Sequence, residues 1–196
     1  MRSAIMTLAA AMPAVANPVS AAGPPSRAEA ARAAVHPVNT EQAMKGWLDR
    51  VPRTSVYPPD FEATLRGQAA AYVVEMSTAP GCLPCSDLWT KLGSMKVRHG
   101  WTIRTISTDE AMIRSGRLGL PWIGHPVAWV RPLADPNRII PVAIGTDHAV
   151  NISRNLYLAA KMQTGVRVAV GVRAMSKFTG IVGVPASSPS THRRKG

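Results

Sequence analysis

Two cysteines follow a short apolar segment in the stretch AYVVEMSTAPGCLPC, residues 71–85. The first six residues are mostly apolar and β-branched or aromatic, which predicts a buried strand. A helix is predicted over residues 82–98, because apolar residues recur four and three positions apart on one face. Those residues are Leu88, Leu92 and Met95. The cysteine pair therefore stands at the start of a helix, directly after a buried strand.

The elements that follow this junction predict an α/β fold. Alternation, capping residues and turn residues place strands over 101–107, 126–130 and 138–144 and helices over 108–115 and 146–162. The order is strand, helix, strand, helix, strand, strand, helix. Helical crossovers favour parallel or mixed pairing, and the last two strands form an antiparallel hairpin. We expect a mixed central sheet of about four strands flanked by helices, over residues 70–165.

The N-terminal region is predicted to carry an export signal. Residues 1–22 combine a short basic start, an uncharged run of small apolar residues and A-x-A cleavage patterns, which are typical of a secretory signal peptide. This predicts an exported protein. Residues 23–38 are rich in Ala and Pro and are interpreted as a linker. Residues 39–67 are predicted to form a helical extension in front of the main domain.

Charge is unevenly distributed along the chain. The net charge is +12, and Asp147 is the last acidic residue of the 196. Residues 166–196 are interpreted as a basic extension, partly disordered, with a basic-faced edge strand over 166–173. Such a tail favours contact with an anionic surface or an acidic protein. Few aromatic side chains lie among these charges, so no specific nucleic-acid partner is expected.

Cys82 and Cys85 are the candidate reactive groups. The first turn of a helix offers free N–H groups, which stabilise a thiolate and should lower the pKa of Cys82 below its ordinary value of about 8.5. Cys82 could then attack a disulfide, and Cys85 could resolve the mixed disulfide. With two cysteines in the chain, electrons must pass to or from another thiol–disulfide protein. No metal and no organic cofactor is expected.

Three other interpretations of the pair remain open, and in one of them the two cysteines are unrelated and inert. The pair could form an inert disulfide across a two-residue loop. It could also be half of a zinc site, which needs two more ligands. His99, His125 and His148 are candidates by residue type, but they have no ligand-like spacing to the cysteines.

From Tyr72 to about Met162 the chain resembles the thioredoxin superfamily. The resemblance rests on Cys82, Cys85 and the tripeptide Gly124-His125-Pro126, which matches the Gly-x-cis-Pro loop of that family. It implies that Pro126 is cis and packs against the cysteines. It also implies that the loop, including Gly124 and His125, receives an extended substrate chain.

Neighbouring residues have further candidate roles, and some of them depart from the family pattern. Trp122 could line the rim of the site, and His125 in its positive form could stabilise the thiolate. Glu75 lies one position away from the buried acid of many members, so it is a candidate proton relay. Gly81 departs from the pattern, since the family often has Trp before the first cysteine.

Within the superfamily, the chain is similar to periplasmic disulfide isomerases and reductases, either DsbC-like or conjugation-associated and TrbB-like. This similarity implies a bacterial periplasmic location, protein disulfides as substrates and a homodimer formed through residues 39–66. A non-catalytic alternative stays open, in which a thioredoxin-fold scaffold serves a bacterial envelope or a type IV secretion complex used in conjugation.

Overall fold

The computed structural model describes residues 34–165 and 178–184. In chain order, the elements in these ranges are β1 (His36–Val38), α1 (Glu41–Leu48), α2 (Phe61–Gln68), β2 (Tyr72–Ser77), α3 (Leu83–His99), β3 (Thr102–Ile106), α4 (Thr108–Arg117), β4 (Val127–Pro132), β5 (Ile140–Ile144), α5 (Ala149–Thr164) and β6 (Ile181–Gly183). The predicted signal peptide, most of the predicted linker and the edge strand predicted over 166–173 lie outside the described residues.

Four strands form one mixed sheet in the order β3-β2-β4-β5. β2 pairs parallel with β3 and antiparallel with β4, and β4 pairs antiparallel with β5. The predicted α/β class, with a mixed four-stranded sheet flanked by helices, is therefore confirmed. The central strand β2 is buried along its whole length, which explains its nearly continuous apolar sequence.

The two faces of β2 belong to different cores. Val74 and Met76 pack in a large core with Cys82, Cys85 and the apolar faces of α3 and α5. Glu75 points the other way, since successive strand residues alternate between faces. Its partner on β4 is Trp129, which packs in a smaller core that includes Ala111 of α4. The cysteines and Glu75 thus lie on opposite sides of the sheet.

The predicted helical extension packs on the domain rather than standing apart from it. Phe61 and Leu65 of α2 belong to the large core. The segment before α2 is held by Asn151 of α5, whose Oδ1 accepts from the backbone N of Thr54 at 2.8 Å and from its hydroxyl at 2.9 Å. Its Nδ2 donates to the carbonyl of Pro52 at 2.9 Å and to Asp147 Oδ1 at 2.8 Å.

Asn151→Ala should therefore loosen the extension. The change removes four hydrogen bonds and leaves the Thr54 donors and the Pro52 acceptor without this partner. We expect a loss of about 2–3 kcal/mol in the free energy of unfolding, measured by urea denaturation. Asn137→Ala is the control, because Asn137 is exposed. Equal small losses in both variants would contradict the anchoring role.

A second, two-stranded sheet joins the two ends of the described chain. β1, at the end of the predicted linker, pairs parallel with β6. Two glycines with positive φ let the backbone segments at this small sheet cross in close contact. A Cβ on Gly145 would lie 2.4 Å from the backbone N of Ile181, and a Cβ on Gly180 would lie 2.1 Å from the carbonyl oxygen of Ala34. Any side chain at either position would force the backbones apart.

Candidate active site

Cys82 is the N-cap residue of α3, which begins at Leu83. Its Sγ accepts a hydrogen bond from the backbone N–H of Cys85 at 3.2 Å. The two cysteines form a disulfide, and their residues are 8% and 2% exposed. Pro84 is tolerated in the first turn because no helical hydrogen bond is lost there. The opening turn of the helix therefore directs an N–H donor at the sulfur, as the sequence predicts.

The loop before β4 lies against the same sulfur. The carbonyl oxygen of His125 is 3.8 Å from Cys82 Sγ, and the His125–Pro126 peptide bond is cis. The end of this loop is fixed to the neighbouring strand, since the hydroxyl of Ser77 accepts from the backbone N–H of Val127 at 2.9 Å. The structure thus brings Cys82, Cys85, His125 and Pro126 together, because β2 and β4 are adjacent strands.

The imidazole of His125 is not placed to act as a positively charged partner of the Cys82 sulfur. Its Nε2 lies 3.2 Å from the hydroxyl of Thr108, and its ring meets Trp122 edge-on at 4.9 Å. Burial lowers the pKa of His125 from its ordinary value of 6.5. The neutral ring therefore predominates at neutral pH, and the backbone carbonyl is the part of His125 that contacts the sulfur.

An apolar cavity of about 770 Å³ opens beside Cys82. Trp122, Gly124 and His125 line it, so all three residues predicted for substrate contact lie at the cysteine. Its other walls are mainly aliphatic: Val35, Pro37, Ala79, Pro80, Ile123 and Val184. A cavity of this composition favours apolar side chains.

Glu75 is not brought to the cysteines. It is fully buried and forms ion pairs with Arg104, Arg114 and Arg131, from β3, α4 and β4. Since its carboxylate lies on the other face of the sheet, it contacts neither sulfur. The geometry therefore gives no support to the predicted proton relay. Glu75 is instead the carboxylate at the centre of a cluster of three arginines.

The sequence did not identify the strand that lies over Cys82. The backbone N–H of Gly183, in β6, donates to the His125 carbonyl at 2.8 Å. A Cβ built on Gly183 would lie 3.0 Å from Cys82 Sγ. The one signal for this contact is a glycine between two valines, which is too common a pattern to predict a partner about a hundred residues away.

Within residues 34–165 and 178–184, no cluster of three or more His, Cys, Asp or Glu side chains is placed to hold a metal ion. No helix in those ranges is both long and apolar enough to span a bilayer. Comparisons with protein-family models, with curated proteins and with solved structures find no match to this chain. The function of this chain is therefore inferred from the geometry of the site.

Proposed function

We propose that this protein is an exported thiol–disulfide oxidoreductase, a reductase or isomerase, that acts on protein disulfides. The observation that carries the proposal is that the backbone N–H of Cys85 points at Sγ of Cys82, with 3.2 Å between nitrogen and sulfur. The same sulfur forms the disulfide with Cys85. In the reduced protein the same donor would stabilise a Cys82 thiolate. The nearby His125 carbonyl supplies an acceptor for the backbone of a substrate.

The chemistry needs two exchange steps. In the first, the Cys82 thiolate attacks one sulfur of a substrate disulfide, and the other substrate sulfur leaves as a thiolate and takes up a proton. In the second, the Cys85 thiolate attacks Cys82 Sγ and releases the first substrate sulfur. Two electrons pass from the dithiol to the substrate. A thiol–disulfide partner protein must return the Cys82–Cys85 disulfide to its dithiol form.

Membership of the thioredoxin superfamily is part of this proposal. Its support is the mixed four-stranded sheet flanked by helices and the Gly124-His125-Pro126 loop beside the cysteines. A DsbC-like or TrbB-like class, a periplasmic location and a homodimer stay proposals that rest on the sequence. The aliphatic cavity at Cys82 favours unfolded or extended protein substrates, because these present apolar side chains.

A non-catalytic scaffold is the second candidate, and one observation favours it. Cys82 is 8% exposed, with Gly183 lying over its sulfur. A nucleophile must reach its substrate, so a permanently covered Cys82 would leave only a structural disulfide. In that case the fold would present its surface to an assembly partner.

Insulin reduction in the presence of dithiothreitol separates the two candidates. We expect the protein to accelerate insulin reduction by roughly tenfold or more over dithiothreitol alone, because the stabilised thiolate attacks faster. The matched control is the same protein with its thiols alkylated by iodoacetamide after reduction. Equal rates for the two preparations would favour the scaffold. If the protein is active, the reduction potential of the Cys82–Cys85 pair distinguishes a reductant, at about −270 mV, from an oxidant, at about −120 mV.

A further inference from the structure

The segment around β6 makes the contact that an extended substrate would make. The backbone N–H of Gly183 donates to the carbonyl of His125 at 2.8 Å. That carbonyl also lies 3.8 Å from Cys82 Sγ. An acceptor this close to the reactive sulfur is the natural partner for the backbone of a bound chain, and a residue of the protein itself already uses it.

The distance from Gly183 to the sulfur matches a mixed disulfide. A Cβ built on Gly183 would lie 3.0 Å from Sγ of Cys82 and 3.3 Å from its Cβ; the second distance is slightly shorter than the roughly 3.5–4.5 Å between the two Cβ atoms of a disulfide, so a cysteine here would shift outward by a few tenths of an ångström. In a disulfide with an S–S bond of about 2.04 Å, each Cβ lies about 3 Å from the far sulfur. A cysteine at position 183 would thus place its own sulfur within bonding range of Cys82.

We propose, resting on the function proposed above, that Gly183 occupies the position of the attacked cysteine of a substrate. The ligand of this site is then an extended protein segment that carries a cysteine with aliphatic neighbours. Val184 shows where one such neighbour fits, since it lines the apolar cavity with Pro37 and Trp122. A substrate must displace the end of β6. Gly183 has no Cβ to press on the sulfur and no thiol, so the protein fills the site without reacting with Cys82.

The displaced segment has a defined anchor away from the cysteines. The hydroxyl of Thr179 donates to the carbonyl of Thr146 at 2.5 Å and accepts from the backbone N–H of Ile181 at 3.2 Å. The N–H of Thr146 in turn donates to the carbonyl of Ile181 at 3.0 Å. Weakening this anchor shifts the population toward an open site without altering any residue that contacts the sulfur.

The position of Gly183 is tested by crosslinking. In full-length Cys85→Ala, Gly183→Cys, oxidised glutathione should join Cys82 to the new cysteine. Two thiols are oxidised to one disulfide, and one glutathione disulfide is reduced to two thiols. The control is Cys85→Ala, Val182→Cys, because the side chain of Val182 faces Gly124 instead. We expect crosslinking at least about tenfold faster at 183 than at 182. Equal rates would overturn the assignment.

The displacement step is tested with Thr179→Val and the control Thr164→Val, whose hydroxyl bonds lie at the end of α5. Losing two hydrogen bonds should make Thr179→Val reduce insulin about fivefold to tenfold faster than wild type. Thr164→Val should match wild type. If wild type is active and Thr179→Val reduces insulin no faster, the proposal that a substrate displaces β6 is wrong. If no protein reduces insulin but crosslinking at 183 occurs, the proposed function fails while the geometry stands.

Discussion

Cys85→Ser should turn the protein into a trap for its substrate. Cys82 would still attack a substrate disulfide, but no second thiol of the chain could release the adduct, because the sequence has two cysteines. Turnover should fall by roughly a hundredfold or more, since an intramolecular attack is replaced by reaction with thiols in solution. Mixed disulfides should accumulate and be visible by non-reducing electrophoresis.

Cys82→Ser is the matched control for this variant. It should lose turnover to the same extent but form no adduct, because Cys85 is 2% exposed and lies deeper in the helix. The two variants thus differ in a product as well as in a rate. Adducts in Cys82→Ser and none in Cys85→Ser would reverse the assigned roles. Full turnover in both variants would exclude the cysteine pair as the redox centre.

Glu75→Gln should cause a large loss of stability on the face of the sheet opposite the cysteines. Arg114 and Arg131 are 5% and 7% exposed, and both pair with this carboxylate. Removing the charge of Glu75 leaves two nearly buried guanidinium groups without the carboxylate that balances their positive charge. We expect a loss of about 3–5 kcal/mol. Melting should then occur about 10 °C lower, as measured by calorimetry.

Glu62→Gln is the control for the cluster. The Glu62 side chain is 51% exposed, and the glutamine amide oxygen still offers an acceptor to its two partners, Arg66 and His99, so the change should cost less than about 1 kcal/mol. A second measurement on Glu75→Gln tests the proton relay predicted from sequence. At a temperature where this variant is folded, insulin reduction should equal that of wild type, because the carboxylate does not reach the cysteines. A selective loss of activity in Glu75→Gln at that temperature would instead support the proton-relay role of Glu75.

The architecture of the main sheet could be predicted because its signals are local. The apolar run at Tyr72–Ser77, the helical spacing of Leu88, Leu92 and Met95, and the alternation near Trp101 each depend on neighbouring residues. The position of Cys82 at a helix N-terminus follows from the same local pattern. These elements appear in the structure within a few residues of their predicted bounds.

The rest of the site depends on contacts between distant residues. Glu75 could not be assigned to its arginines, since these come from three separate elements whose packing decides which side chains meet. β1 and β6 are three residues each, too short for a periodic signal. The hydrogen bond from Gly183 to His125 is visible only once β6 has been placed over the sulfur.

The crossing at Gly145 and Gly180 limits how this chain can diverge in evolution. A methyl group at either position would meet backbone atoms 2.4 Å or 2.1 Å away, so substitution there should be tolerated far less than on exposed helices. Distant relatives should therefore retain both glycines together with the cysteine pair and the Gly-His-Pro loop. That spaced pattern would serve as a signature for recognising them where overall sequence similarity has faded.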